Sequence, residues 1–289
     1  YEIYQCDWSS DVCSSDLTGA ITLRLLAVGD LGALWSAPGT GGLPFWLAVD
    51  LVVVMPVSWL PLVADYTRFA RRDARGFAGV FGGSYLGTVW FYALGALLVL
   101  AAGAGTDLVG IGAAVIAVAG GPIVLAALLV GETDNAFANL YSSVVSAQNL
   151  APRVRQRRLT LALGILAALL ASFLSLERFE VFLLLIGSVF VPLSGLFAAD
   201  WLVRARGRYG EEALFGAPAF RPWSLVPLLA GFALYHWSVP TGPSAWVEGV
   251  RGVAEGLGLP FPLLGSAIGA SIPSFALAFV LALAVPRRR

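Results

Sequence analysis

The sequence has no lysine, one histidine and one methionine, and its two cysteines, Cys6 and Cys13, both lie in the first 17 of 289 residues. There is no H-E-x-x-H helix, no phosphate-binding P-loop and no nucleophile elbow. With His236 as the single histidine, a membrane-embedded hydrolase has little to work with. Charge is scarce too: Asp, Glu, Lys and Arg make up 12% of the chain, against about 25% in an ordinary soluble domain. The 18 basic residues balance 18 acidic ones, so nothing points to a nucleic-acid partner.

What is present is apolar bulk. Hydrophobic residues are 58% of the chain and fall in long blocks. Several blocks reach the ~20 residues that cross a ~30 Å hydrocarbon core, and they carry glycine and proline freely, as membrane helices do. A soluble helical bundle would need a polar face on most of its helices. The expectation is an all-α integral membrane protein of about seven full spans.

Residues 1–17, YEIYQCDWSSDVCSSDL, differ from the rest. They are polar and lack the charged start and apolar middle of a signal peptide. The stretch resembles a translated sequencing adapter and is expected to be a non-native leader; a Cys6–Cys13 pair is the competing reading. Residues 18–36 then read as the end of one span, containing Arg24 and Asp30. Full spans follow at 43–64, 79–102, 122–148, 159–175, 180–203, 223–239 and 261–285, with a short apolar stretch at 106–119 that does not cross. With the loop after residue 64 placed inside, every arginine except Arg24, Arg178 and Arg251 falls on the cytoplasmic side. The expected protein is therefore multi-pass in the plasma membrane, with its C-terminus cytoplasmic.

Two segments break the pattern of a plain anchor. In the first, Pro56 and Pro61 flank Ser58 and Trp59. Each proline removes a backbone donor and clashes with the preceding turn. The carbonyls so freed in lipid must be satisfied by protein, water or ligand, as in the broken helices of transporter sites. Ser58 adds a hydroxyl, and Trp59 a flat surface for a ring to stack on. An ordinary proline kink with Trp59 packed in the core remains open. In the second segment, Glu132 and Asp134 lie about ten residues into a span, near mid-bilayer at ~1.5 Å per residue. A carboxylate there costs at least ~2.5 kcal/mol and so faces a cavity or a partner. Glu132, Asn135, Asn139, Ser142 and Ser146 form one stripe at helical spacing, while Thr133 and Asp134 point to other faces. A helix polar on several faces must be enclosed by protein. Its oxygen-rich side chains suit a hard cation, without separating Na⁺ from H⁺; a buried hydrogen-bond network between helices is the alternative.

Smaller signals read as structural. Asp65 with Arg68, and Asp200 with Arg204, have the spacing of local ion pairs. His236 lies near an outer boundary, and Gly265 with Gly269 makes a small-xxx-small packing face.

At 55–71 (MPVSWLPLVADYTRFAR), 132–150 (ETDNAFANLYSSVVSAQNL) and 190–203 (FVPLSGLFAADWLV) the chain resembles the nucleobase:cation symporter-1 family, and within it the cytosine and hydroxymethylpyrimidine permease branch. That resemblance implies a leucine-transporter-like fold of twelve spans. Residues 18–36 would close span five, 37–205 would form the second five-helix inverted repeat, and 206–289 spans eleven and twelve with the tail. The partners implied are a nucleobase-like small molecule, the lipid bilayer and N-terminal helices of the same transporter, without which the polypeptide should not transport. No cofactor is implied beyond a coupling Na⁺ or H⁺.

By the same resemblance, Ser58 falls where relatives hydrogen-bond the base, and Pro56 where the family commonly has a stacking Trp or Phe, which leaves stacking to Trp59. Asn139 matches a substrate-binding asparagine, with Asn135 beside it on the stripe. Val130 (through its carbonyl), Thr133 and Asp134 match Na⁺-contacting positions, Asp134 replacing a neutral hydroxyl residue. The stretches around residues 58 and 134 are expected to face one another across a wet pocket. Rival functions are a purine, allantoin or amino-acid carrier of the same fold, a non-transporting subunit of a membrane complex and, more remotely, a channel.

Overall fold

The structure, a computed structural model, describes residues 18–27, 29–38, 42–63, 72–101, 108–119, 121–173, 176–211, 222–263 and 268–285, together with 67, 70, 103, 105 and 216; the side chains of 108, 119, 134, 135 and 176–178 are not included. The leader with Cys6 and Cys13, the Asp65–Arg68 pair, Gly265 and the terminal arginines lie outside the described residues. Among the described residues every regular element is helical.

The chain divides into two compact units, residues 1–40 with 65–176 and residues 41–64 with 177–289. The first unit contains α1 (Thr18–Ala27), α2 (Leu31–Ser36), α4 (Asp73–Ala101), α5 (Leu108–Ala119), α6 (Pro122–Leu150) and α7 (Gln156–Phe173). Residues 18–36 hold two helices. Helix α1 stops at Ala27, and the Asp30 carboxylate accepts the Ala33 N–H at 3.0 Å, capping a separate short helix. Such a side chain offers the backbone a local alternative to a continuous helix. Ile21 and Leu25 of α1 pack with Leu94 and Leu98 of α4 and Ala114 and Val115 of α5. The Trp90 indole donates to Thr22 Oγ1 at 2.9 Å, which fixes α1 on α4. Helix α6 starts at Pro122, where the missing N–H is no loss, and packs chiefly on α5 and α7.

The second unit contains α3 (Phe45–Ser58), α8 (Leu176–Ala198) with a π-helical turn at Ala199–Arg204, α9 (Leu225–Ser238), α10 (Ser244–Gly256) and α11 (Ser271–Ala284). Helices α9 and α11 are its most closely packed pair, because the residues between them are small. Ser274 Oγ donates to the Gly231 carbonyl at 2.8 Å, and a β-carbon on Gly231 would stand 2.5 Å from Pro192 Cβ. Gly269 lies outside any helix and so does not contribute to the expected small-xxx-small face. Gly269 precedes α11 with φ +72°, a left-handed conformation that glycine adopts without strain.

Four helices are long and apolar enough to cross a membrane: Asp73–Ala101, Pro122–Leu150, Gln156–Phe173 and Phe179–Arg204. The other three expected spans are shorter. Helices α3, α9 and α11 have 14 residues each, about 21 Å of helix. Among the described residues of the 261–285 stretch, 261–263 and 268–270 are irregular and helix starts at Ser271. Helix α10 was not expected from sequence.

Arg204 joins the π-helical turn to α11. Its guanidinium donates to the Ala282 and Val285 carbonyls, the open C-terminal end of that helix, and stands 4.0 Å from Asp200. The Asp200–Arg204 pair is therefore present, but it is secondary to the helix cap. A cation at a helix C-terminus is favoured by the macrodipole. Arg204→Ala should lower stability by about 2 kcal/mol, read as a fall in thermal unfolding midpoint in detergent; an unchanged midpoint would show the cap to be incidental.

Candidate functional site

The sequence-expected residues fall in both units. In the second unit, α3 ends at Ser58, two residues after Pro56. The Ser58 hydroxyl donates to the Met55 carbonyl at 2.6 Å, and the Trp59 N–H closes back onto Pro56 and Val57. Residues 59–62 turn tightly, with Leu62 N–H on the Trp59 carbonyl at 2.9 Å. The helix expected over 43–64 is thus interrupted where the prolines remove donors, and Ser58 and Trp59 stand half-buried at the interruption.

In the first unit, α6 runs unbroken through Val130, Thr133 and Asn139. Thr133 Oγ1 donates to the Val130 carbonyl at 2.6 Å, placing those two oxygens side by side. The side chains of Asp134 and Asn135 are outside the described set. Val130, Glu132, Thr133 and Asn139 are exposed, and burial begins only at Ser142 and Val144, since α5 and α7 cover other parts of the helix.

Sequence reasoning missed the most buried charged group among the described residues. Asp50, five residues into α3, is 1% exposed. Its Oδ2 accepts the Ala270 N–H at 2.8 Å, and its Oδ1 the Ser271 N–H at 2.9 Å. These donors open α11, so Asp50 caps a helix 220 residues away in sequence. Anions are favoured at that end of a helix. Gly269 is needed for this approach, because a β-carbon there would stand 2.7 Å from Asp50 Oδ2. Val54, one turn on, packs with Tyr235 of α9 and Ala270. The signal that could have found Asp50 was a lone carboxylate inside an apolar helix.

Tyr235, His236, Ser238 and Ser271 of the same unit are also buried. His236 is held in place: its Nδ1 accepts the Trp246 indole N–H at 3.2 Å, and Phe232 meets its ring edge-on at 4.5 Å. This supports a structural part for His236, joining α10 to α9. Trp246→Phe should cost about 1 kcal/mol and release α10, which limited proteolysis would detect as faster cleavage near residue 243; unchanged cleavage would argue against it.

Against known proteins, a family model described as permease for cytosine/purines, uracil, thiamine and allantoin matches residues 17–223, more than two thirds of the chain. No curated protein and no solved structure matches.

Proposed function

Because the chain belongs to the family of permeases for cytosine/purines, uracil, thiamine and allantoin, we propose that it serves the import of a pyrimidine base, cytosine or hydroxymethylpyrimidine, together with Na⁺ or H⁺. The family match carries this reading, and it indicates a transporter, not an enzyme. The finer choice of a pyrimidine is supported by the run SWLPLVADYTR at 58–68. In this proposal the fold is leucine-transporter-like, the membrane is the plasma membrane, and the arginine-rich loops and C-terminus face the cytoplasm.

Transport requires no covalent step. The protein must replace the hydration of the ring's polar groups and of the ion, then open to the other side. By the family resemblance Ser58 would hydrogen-bond the base, and so would Asn139, with Asn135 one turn before it on α6. Trp59 would stack on it, and Pro56 would keep the backbone open at the turn. Val130 (through its carbonyl), Thr133 and Asp134 would hold the ion. The Thr133 hydroxyl lying on the Val130 carbonyl brings two of those three oxygens together, which supports that part of the reading.

The test is equilibrium binding of radiolabelled cytosine and hydroxymethylpyrimidine to the purified protein, with allantoin, purines and amino acids as competitors. Pyrimidine binding should be saturable and indifferent to amino acids. Asn139→Ala should weaken it at least about tenfold, equivalent to ~1.4 kcal/mol. Stronger competition by allantoin or an amino acid, or unchanged affinity in the variant, would reject the pyrimidine assignment.

A further inference from the structure

The junction of α6 and α7 carries four arginines in six residues, Arg153, Arg155, Arg157 and Arg158, and all four are exposed. No Asp or Glu occurs between Asp134 and Glu177. Among the described residues none of the four makes an ion pair. Four positive charges therefore stand together with no counter-charge in their own stretch of chain.

The local fold concentrates them. Helix α6 ends at Leu150 and α7 starts at Gln156. Between them the Val154 N–H bonds the Ala151 carbonyl at 3.0 Å, a tight turn. The two helices then pack on one another, with Leu140 Cδ2 lying 3.6 Å from where a β-carbon on Gly164 would stand. Both are long and apolar enough to cross a membrane, so the turn that joins them lies at a membrane surface.

The start of α7 is built for an anion that the chain does not supply. The Arg155 carbonyl accepts the Arg158 N–H at 2.9 Å and the Leu159 N–H at 3.3 Å, but the Arg155 side chain has no acceptor to offer the first turn, where Ser, Thr, Asp or Asn is usual. That turn holds Arg157 and Arg158 and no acidic residue, although the macrodipole disfavours cations at this end. Further along the helix, Leu161 and Ile165 follow Arg157 at four-residue spacing and so share its face. They are 57% and 60% exposed. A basic head thus continues into an uncovered apolar row.

We propose that the α6–α7 turn binds the phosphate headgroup of an anionic phospholipid, with an acyl chain lying along Leu161 and Ile165. Guanidinium groups meet phosphate oxygens two at a time through their planar fork, and basic clusters beside membrane spans attract anionic lipids. A soluble phosphate would use the arginines alone; a lipid uses the arginines and the apolar row together. Arginines that served only to orient the chain would act through their number, and would need no apolar row in line with them. The proposal rests on α6 and α7 crossing the membrane and is independent of substrate and coupling ion.

The test is photo-crosslinking of the full chain in phosphatidylcholine nanodiscs doped with phosphatidylglycerol that carries a photoreactive group beside its phosphate. Mass spectrometry should find the label on residues 150–159. Phosphatidylcholine with the same reactive group should label this stretch much less, and millimolar inorganic phosphate should not compete. Replacing all four arginines with Gln should cut the labelling at least about tenfold. Arg153→Gln with Arg155→Gln touches only the connector, so it retains both helices should the fourfold variant fail to fold, and it should cut labelling about threefold. Arg251→Gln on α10 is the control and should change nothing at the turn. Equal labelling by the two lipids, labelling that survives both arginine variants, or its loss to inorganic phosphate would overturn the proposal. None of these readouts involves a nucleobase, so failure here is separable from failure of the pyrimidine reading.

Discussion

Asp50→Ala should be the most damaging single substitution in the second unit, lowering stability by about 2–6 kcal/mol. The reasoning is local. Alanine leaves the Ala270 and Ser271 N–H groups buried without an acceptor, and each such group costs about 1–3 kcal/mol. No water can replace the carboxylate easily, since Asp50 is 1% exposed and Gly269 packs directly on Oδ2. Asparagine keeps one carbonyl acceptor but turns an amide N–H₂ toward the other donor, so Asp50→Asn should lose roughly half as much. Thermal unfolding of detergent-solubilised protein checks both. Equal midpoints for wild type and Asp50→Ala would mean that the carboxylate contributes nothing to holding α11.

Gly231→Val should come second, at about 3 kcal/mol. Its new β-carbon would stand 2.5 Å from Pro192 Cβ and 3.1 Å from the Ser274 carbonyl. Neither neighbour is a flexible side-chain end: one is a rigid ring inside α8, the other is backbone of α11. Overpacking of that kind forces helices apart and typically costs 1–3 kcal/mol or more. It would also stretch the bond from Ser274 Oγ to the Gly231 carbonyl. The control is Gly249→Ala on α10, where nothing lies within 4 Å of an added β-carbon; that change should be neutral or mildly stabilising. Comparable losses at 231 and 249 would show that helix propensity, not close packing, governs these positions.

These two residues also show where sequence reading succeeds and where it stops. Long apolar runs announced α4, α6, α7 and α8, because a run of ~20 residues has few alternatives to crossing a bilayer. The interruption after Pro56 was legible because proline acts on its own backbone, and so was the family, through contiguous motifs. Asp50 was not, because its meaning lies in donors 220 residues away; in the linear chain it is one carboxylate in an otherwise apolar helix. Helix α10 was hidden by Glu248, Arg251, Glu255 and three glycines among its 13 residues, a composition that reads as loop until Trp246 is seen anchoring it to His236. The region 261–285 looked uniformly apolar, but hydropathy does not register a left-handed glycine at 269. On α6 the polar residues were legible, and the neighbours that leave its middle exposed were not.

The wide separation of Asp50 from its donors also sets an order of events during biogenesis. At about 5–20 residues per second of synthesis, the 220 residues between Asp50 and Ala270 take ~10–40 s to emerge. Throughout that interval α3 exists without the helix end that its carboxylate will cap. The nascent chain must therefore keep this segment near water or lend it to a chaperone until α11 arrives. Ribosomes stalled before residue 270 should yield an α3 that is still open to membrane-impermeant reagents, with completion of α11 sealing it.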